Sequence, residues 1–159
     1  MRAATPTKPD GDRENWPQVM KILVPVDGSP ASIRAVKFAV DRVKTIAGAS
    51  LVIVTVQNFA TLGLAEGAGI MPFGWIEHEE ESAAKEALQK GCHHLPRGRS
   101  NLRHQRGPVA ATIDRVAREE QVAHIVMGTR GLGGVRGLLL GSVATQLLHL
   151  TDLPVTLVK

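Results

Sequence analysis

Short apolar runs alternate along the chain with longer segments in which apolar residues are periodic. Four of the runs are rich in β-branched residues and lie at 21–26, 51–56, 122–127 and 155–159. Continuous apolar runs of this length are typical of strands covered on both faces, as in a parallel sheet. A further segment, Ser100–Arg106, is polar apart from Leu102, which favours a strand at a sheet edge. The pattern therefore predicts five strands.

Between these runs, apolar residues recur every three or four positions, as on the buried face of an amphipathic helix. The predicted helices run from Pro30 to Ala47, from Ile76 to Leu95, from Pro108 to Glu119 and from Ser142 to Leu150. Ser29 is a suitable N-cap for the first helix, and Gly48 ends it. In the last helix we expect Val143, Leu147 and Leu150 on the buried side.

The order of these elements predicts an α/β fold with a five-stranded, doubly wound parallel sheet of strand order 3-2-1-4-5. Its crossovers should be right-handed, and ligands of such sheets bind beyond the carboxyl ends of the strands at the switch point. The first and fourth strands should flank that point. Asp27 and Gly128, which end these strands, are therefore expected to come close together.

Composition limits the number of domains, the kinds of partner and the cellular location that are expected. The 159 residues suit one domain, predicted at 19–159, after a flexible N-terminal extension at 1–18 that contains three prolines. The 19 Lys+Arg against 15 Asp+Glu give a net charge of only +4, and the chain has no Tyr, so no nucleic-acid partner is expected. No apolar run approaches the roughly 18 residues of a membrane span, and the single cysteine fits a reducing compartment, so a cytoplasmic location is expected.

The most distinctive stretch is the glycine loop, which we define as Gly128–Ser142, between the fourth strand and the last helix. Glycines let backbone N–H groups turn towards an anion, and the helix that follows adds its positive N-terminal end. The P-loop spacing, the dinucleotide Gly-x-Gly-x-x-Gly spacing after the first strand, and the protein-kinase motifs are all absent. The loop is therefore predicted to bind phosphate, but not as part of any of these three kinds of nucleotide-binding site.

Two motifs together resemble the ATP-binding branch of the universal stress protein family. They are Gly128-x2-Gly131-x9-Gly141-Ser142 and Pro25-Val26-Asp27-Gly28-Ser29, and the resemblance extends from Met20 to Lys159. It implies an adenine nucleotide alpha hydrolase-like fold. It also implies a homodimer formed through residues 155–158, and the exposed backbone of a last strand at a sheet edge offers a physical reason for such pairing. His124 departs from the family, which commonly has an acidic residue there, and no partner for it is evident.

The resemblance also implies a role for each matching residue. Asp27 and Val26 would face the adenine, Val56 would give it backbone contacts, and Met127 would pack beside it. Pro25 would belong to the same half of the nucleotide site. The residues near the ribose and phosphates would be Gly128, Arg130, Gly131, Gly141, Ser142, Val143 and Ala144. The cofactor would be ATP, ADP or AMP, with Mg²⁺ as the companion of the nucleotide.

Several residues keep two interpretations. Asp27 and Ser142 are either nucleotide ligands or helix caps, and Arg136 is either a phosphate ligand or an ordinary surface residue. Cys92-His93-His94 suits a metal site less well than helix packing, because no second ligand cluster has zinc-like spacing. The Gly-rich connection at 59–75 is either a nucleotide lid or a loose loop.

The function that follows is a stress-response or signalling protein in which the bound nucleotide biases conformation or partner choice. No general base, Walker acid or metal carboxylate is assignable, so no catalytic residue is predicted and any turnover should be slow. One alternative is a nucleotide-independent, dimeric interaction module. Another is a slow ATP hydrolase.

Overall fold

The computed structural model describes residues 20–57, 82, 98–132 and 140–159. The predicted extension at 1–18, the connection at 59–75, the Cys92–His94 cluster and Arg136 lie outside these residues. So does the helix predicted from Ile76, apart from Ser82, which is helical.

Five strands and three longer helices are present among the described residues. They are, in chain order, β1 (Lys21–Pro25), α1 (Pro30–Thr45), β2 (Ser50–Gln57), β3 (Ser100–Arg106), α2 (Val109–Glu119), β4 (His124–Gly128), α3 (Ser142–Leu150) and β5 (Val155–Val158). Each lies within a few residues of its predicted place. Pro25 ends β1, as expected for a residue that cannot donate to the strand ladder.

The strands form one sheet in the order β3-β2-β1-β4-β5, and all pairs are parallel. This confirms the predicted doubly wound α/β fold. The polar strand β3 lies at one end of this order and pairs with β2, which confirms its predicted edge position. β1 and β4 are neighbours at the centre, so their carboxyl ends lie side by side at the switch point.

The core has a layer on each face of the sheet. One layer packs α1 against Ile22, Val24 and Ile53. The other packs α2 and α3 against Leu23, Val52, Val54, Ile125 and Met127. Burial of strand side chains on both faces explains why the central strands are continuous apolar runs rather than alternating ones.

The prediction for the buried side of α3 was wrong at one position. Ala144 and Leu147 are buried, whereas Leu150 is 49% exposed. Because a helix advances about 100° per residue, Leu150 lies roughly 60° further round than Leu147 and still further from Ala144. The buried face is therefore centred on Ala144 and Leu147, with Leu150 beyond its flank.

Arg99, just before β3, closes the carboxyl end of α1. Its Nη2 donates to the carbonyl oxygens of Val43 (2.8 Å) and Ile46 (2.9 Å), and its Nε donates to the carbonyl of Ala49. Carbonyls at the end of a helix have no helical donor, and a cation there also suits the helix dipole.

Replacing Arg99 is expected to destabilise the fold. Arg99→Ala should lower the free energy of unfolding by about 2 kcal/mol, because several charge-assisted hydrogen bonds are lost at once. The free energy of unfolding of Arg99→Lys should lie between those of Arg99→Ala and the unaltered protein, since an ammonium group keeps the charge without the planar fork of a guanidinium. Urea unfolding followed by circular dichroism measures both, and equal stability of Arg99→Ala and the unaltered protein would contradict this role.

Candidate functional site

The predicted site residues that the structure describes gather at the carboxyl ends of the strands. Asp27 follows β1, Val56 lies near the end of β2, and Met127 lies near the end of β4. The glycine loop leaves β4 at Gly128 and returns at Ser142, the first residue of α3. This is the edge of the sheet at which doubly wound proteins bind their ligands.

Asp27 joins the turn after β1 to the glycine loop. Its Oδ1 accepts a hydrogen bond from the N–H of Ser29 (3.0 Å), and its Oδ2 accepts one from the N–H of Leu132 (3.2 Å). The turn depends on Gly28, whose φ of 81° lies in the left-handed region that favours glycine. The expected meeting of the two segments across the switch point is therefore confirmed.

Two glycines permit this close approach. A Cβ on Gly131 would lie 2.3 Å from Oδ2 of Asp27. A Cβ on Gly128 would lie 2.9 Å from the backbone of α1, at the carbonyl carbon of Ala31 and the nitrogen of Ser32. The first glycine keeps the loop against Asp27, and the second keeps the end of β4 against the start of α1.

The N-terminus of α3 carries backbone donors that no described side chain caps. Its N-cap residue, Gly141, offers no side-chain cap, and the Gly141 N–H donates to the carbonyl of Thr129 (2.7 Å). The N–H groups of Ser142, Val143 and Ala144 belong to the first turn, where no helical acceptor exists. These three amides, rather than that of Gly141, are the donors that α3 offers to an anion.

The remaining predicted residues differ in how much side chain they present. Arg130 is exposed, and Val56 is half-buried. Val26 is 4% exposed and packs with the α1 layer, whereas Met127 is 5% exposed and packs with the α2 and α3 layer. Because both side chains are buried in the core layers, Val26 and Met127 can offer a ligand mainly their backbone atoms and the edges of their side chains.

Ser29 has a role that the sequence did not reveal. It is the expected N-cap of α1, since its Oγ accepts from the N–H of Ser32 (3.2 Å). The same Oγ also donates to the carbonyl oxygen of Arg130 (3.3 Å), in the glycine loop. The local sequence predicts a cap and carries no signal of this second, long-range contact.

His124 lies at the opposite end of β4 from this site and does have a partner. Its Nε2 is 2.8 Å from Oγ1 of Thr156, in β5. Burial lowers the pKa of His124 below its ordinary value of 6.5, and the nearby positive charge of Arg42 lowers it further. The neutral ring is thus the form that the fold favours.

The stability of the protein should therefore depend on pH through His124. A lowered pKa in the folded state means that the unfolded state binds the proton more readily. The stabilising contribution is complete above a pH of about 6.5 and is lost as the pH falls through the lowered folded-state pKa. Urea midpoints at several pH values should show a smaller acid-side loss in His124→Gln than in the unaltered protein, and identical pH profiles would contradict this.

The described residues contain neither a cluster of potential metal ligands nor a helix of membrane-spanning character. No group of three or more His, Cys, Asp or Glu side chains in that part of the chain is placed to hold a metal ion. None of the helices described is long and apolar enough to cross a membrane.

Fold and site together define a doubly wound α/β domain with backbone donors and a carboxylate at its switch point. A family model described as the universal stress protein family matches residues 18–159. The universal stress protein MJ0531 of Methanocaldococcus jannaschii is 30% identical over 140 residues, which are 87% of this chain and 81% of that protein. The chain belongs to the universal stress protein family.

Solved structures give the same fold. The hypothetical protein MJ0577 superposes with a TM-score of 0.72 at 22% identity, over 88% of this chain and 95% of its own. A universal stress protein crystallised in complex with cAMP superposes with a TM-score of 0.57 at 25% identity, over 88% of this chain and 96% of its own.

Proposed function

We propose that this protein binds an adenine nucleotide between the end of β1 and the glycine loop, and that the nucleotide acts as a conformational or partner-choice switch in a stress response. The observation that carries the proposal is the hydrogen bond from Leu132 to Asp27. It fixes a carboxylate beside a glycine loop that leads into the N-terminus of α3, where no side chain of the described residues acts as a cap. The complex of a relative with cAMP supports an adenine nucleotide as the ligand.

The two halves of this site suit the two halves of a nucleotide. A carboxylate oxygen can accept more than one hydrogen bond, so Asp27 can take the amino group of adenine in addition to its backbone donors. Pro25, Val26 and Val56 would lie along the base, and Met127 would support it. The first-turn amides of Ser142, Val143 and Ala144 would bind phosphate oxygens, with the helix dipole adding to the attraction.

The residues between these halves would contact the middle of the nucleotide. Gly128 and Gly131 let the backbone approach the ribose and the first phosphate, and the exposed guanidinium of Arg130 suits phosphate oxygens. Mg²⁺ would accompany the phosphates as part of the ligand. No described residue is proposed as a catalytic group.

Acid extraction of the purified protein tests this proposal first. Chromatography of the extract should show ATP, ADP or AMP. Protein freed of nucleotide should then bind ATP in titration calorimetry at least about tenfold more tightly than GTP, because guanine has a carbonyl oxygen where adenine has its 6-amino group, and that oxygen cannot donate a hydrogen bond to Asp27. An extract without adenine nucleotide, together with no heat of binding, would contradict the proposal and favour a nucleotide-independent module.

We also propose that two copies associate through β5. Among the described residues β5 pairs with β4 alone, using the backbone groups of Pro154 and Val158. Because residues alternate along a strand, the N–H and C=O groups of Val155 and Leu157 face the other edge. Leu148 and Leu150 of α3 are exposed as well, at 42% and 49%. An unpaired edge and exposed leucines favour self-association.

Sedimentation velocity at micromolar concentration measures this association directly. The expected result is a dimer with and without added ATP. A monomer under both conditions would contradict it.

A further inference from the structure

We propose that Ser29 is a positioning residue that sets the direction of the Arg130–Gly131 peptide group, so that the Gly131 N–H joins the first-turn amides of α3 in binding phosphate. This inference rests on the proposed nucleotide site and adds to it a residue that does not itself touch the ligand. The hydroxyl group of Ser29 is buried and makes two hydrogen bonds.

The Ser29 side chain is held in place from several sides. The residue is 3% exposed, and its backbone N–H donates to Oδ1 of Asp27. Its carbonyl accepts from the hydroxyl of Ser32 (2.9 Å) and from the N–H of Ile33 (3.1 Å). With Oγ accepting from the N–H of Ser32, the hydroxyl proton is left for one acceptor, and that acceptor is the Arg130 carbonyl.

Fixing a carbonyl group also fixes the N–H group across the same peptide bond. In a trans peptide the two point in opposite directions. The Arg130 carbonyl points to Ser29, so the N–H of Gly131 points away from Ser29 and from the start of α1. The Gly131 nitrogen lies 3.7 Å from the position of a Cβ on Gly141, beside the start of α3. Its amide therefore lies beside Gly141, the N-cap residue that precedes the first-turn amides of Ser142, Val143 and Ala144.

Capping of α1 does not by itself account for a serine here. Asn, Asp and Gly serve as N-caps at similar or slightly greater cost, and Asp has no proton to donate when ionised. The bond to Arg130 needs a donor as well as an acceptor at the same atom. A short hydroxyl side chain meets both needs.

The test compares ATP with adenosine, which lacks the phosphates. Ser29→Ala removes the hydroxyl and the cap, Ser29→Gly removes the hydroxyl at little capping cost, and Ser29→Thr keeps both. Measured by titration calorimetry, Ser29→Ala and Ser29→Gly should each weaken ATP binding about tenfold, as expected for the loss of one charge-assisted hydrogen bond to phosphate. Each should weaken adenosine binding less than about twofold. Ser29→Thr should restore the affinity for ATP.

Thermal unfolding of the same variants separates positioning from stability. Ser29→Ala should be less stable than Ser29→Gly, yet both should lose the same fraction of ATP affinity. Equal weakening of ATP and adenosine, or no change in either, would overturn the inference and leave the nucleotide site standing. Failure of the unaltered protein to bind either compound would overturn the proposed function itself, and the inference with it.

Discussion

Gly131→Ala is expected to weaken ATP binding by about a hundredfold, which corresponds to about 2.7 kcal/mol. The added methyl group would lie 2.3 Å from Oδ2 of Asp27, so the carboxylate and the loop backbone cannot both keep their positions. The same displacement would break the bond from Leu132 to Asp27. Both halves of the proposed site are therefore disturbed by one methyl group, and titration calorimetry with ATP measures the loss.

A double-mutant cycle tests whether Asp27 is the cause of that loss. Asp27→Ala alone should weaken ATP binding, because the acceptor for the adenine amino group is removed. Adding Gly131→Ala to Asp27→Ala should cost much less than a further hundredfold, since the clashing oxygen is no longer there. Full additivity of the two changes would show that Gly131 acts independently of Asp27 and would contradict this account.

Gly128→Ala should give the largest loss of stability, about 3 kcal/mol, or roughly 10 °C in the melting temperature. Its Cβ would lie 2.9 Å from Ala31 and from the nitrogen of Ser32, which are parts of a helix backbone that cannot turn aside. Relief requires α1 to shift away from β4, at the expense of a close-packed core layer. Differential scanning calorimetry measures the effect.

Gly141→Ala is the matched control for this substitution. A Cβ there would meet its nearest neighbours, Cα of Arg130 and the oxygen of Thr129, at 3.4 and 3.5 Å. Its φ of −75° is also open to any residue. The stability should change by less than about 1 kcal/mol, and a loss as large as that of Gly128→Ala would contradict the distinction between the two glycines.

The sheet was predictable because strands that are buried on both faces have continuous apolar sequences. Strands β1, β2 and β4 are continuous apolar runs, and the polar run of β3 fits its place at an edge. The exposure of Leu150 was not predictable, because periodicity identifies an apolar stripe but not the residue on which the buried face is centred. That centre depends on how α3 packs against α2.

The meeting of Asp27 with the glycine loop was predictable from the sequence, whereas the other long-range hydrogen bonds nearby were not. The carboxyl ends of β1 and β4 had to meet, so Asp27 and the glycine loop were expected together. The bond from Ser29 to Arg130 spans 101 residues and uses a side chain whose local role as an N-cap is already sufficient. Arg99 and His124 likewise find partners on elements distant in sequence, at the end of α1 and in β5.

A backbone-amide NMR titration with ATP tests the central claim most directly, because it reports where on the fold the nucleotide binds. The amide signals of Gly131, Ser142, Val143 and Ala144 should shift together with those of Asp27 and Val56, and saturate at one stoichiometric site. Signals at the opposite end of the sheet, such as those of Lys21 and Glu120, should stay in place. Unchanged spectra at millimolar ATP, or shifts confined to the Lys21 end, would contradict an adenine-nucleotide site between Asp27 and the glycine loop.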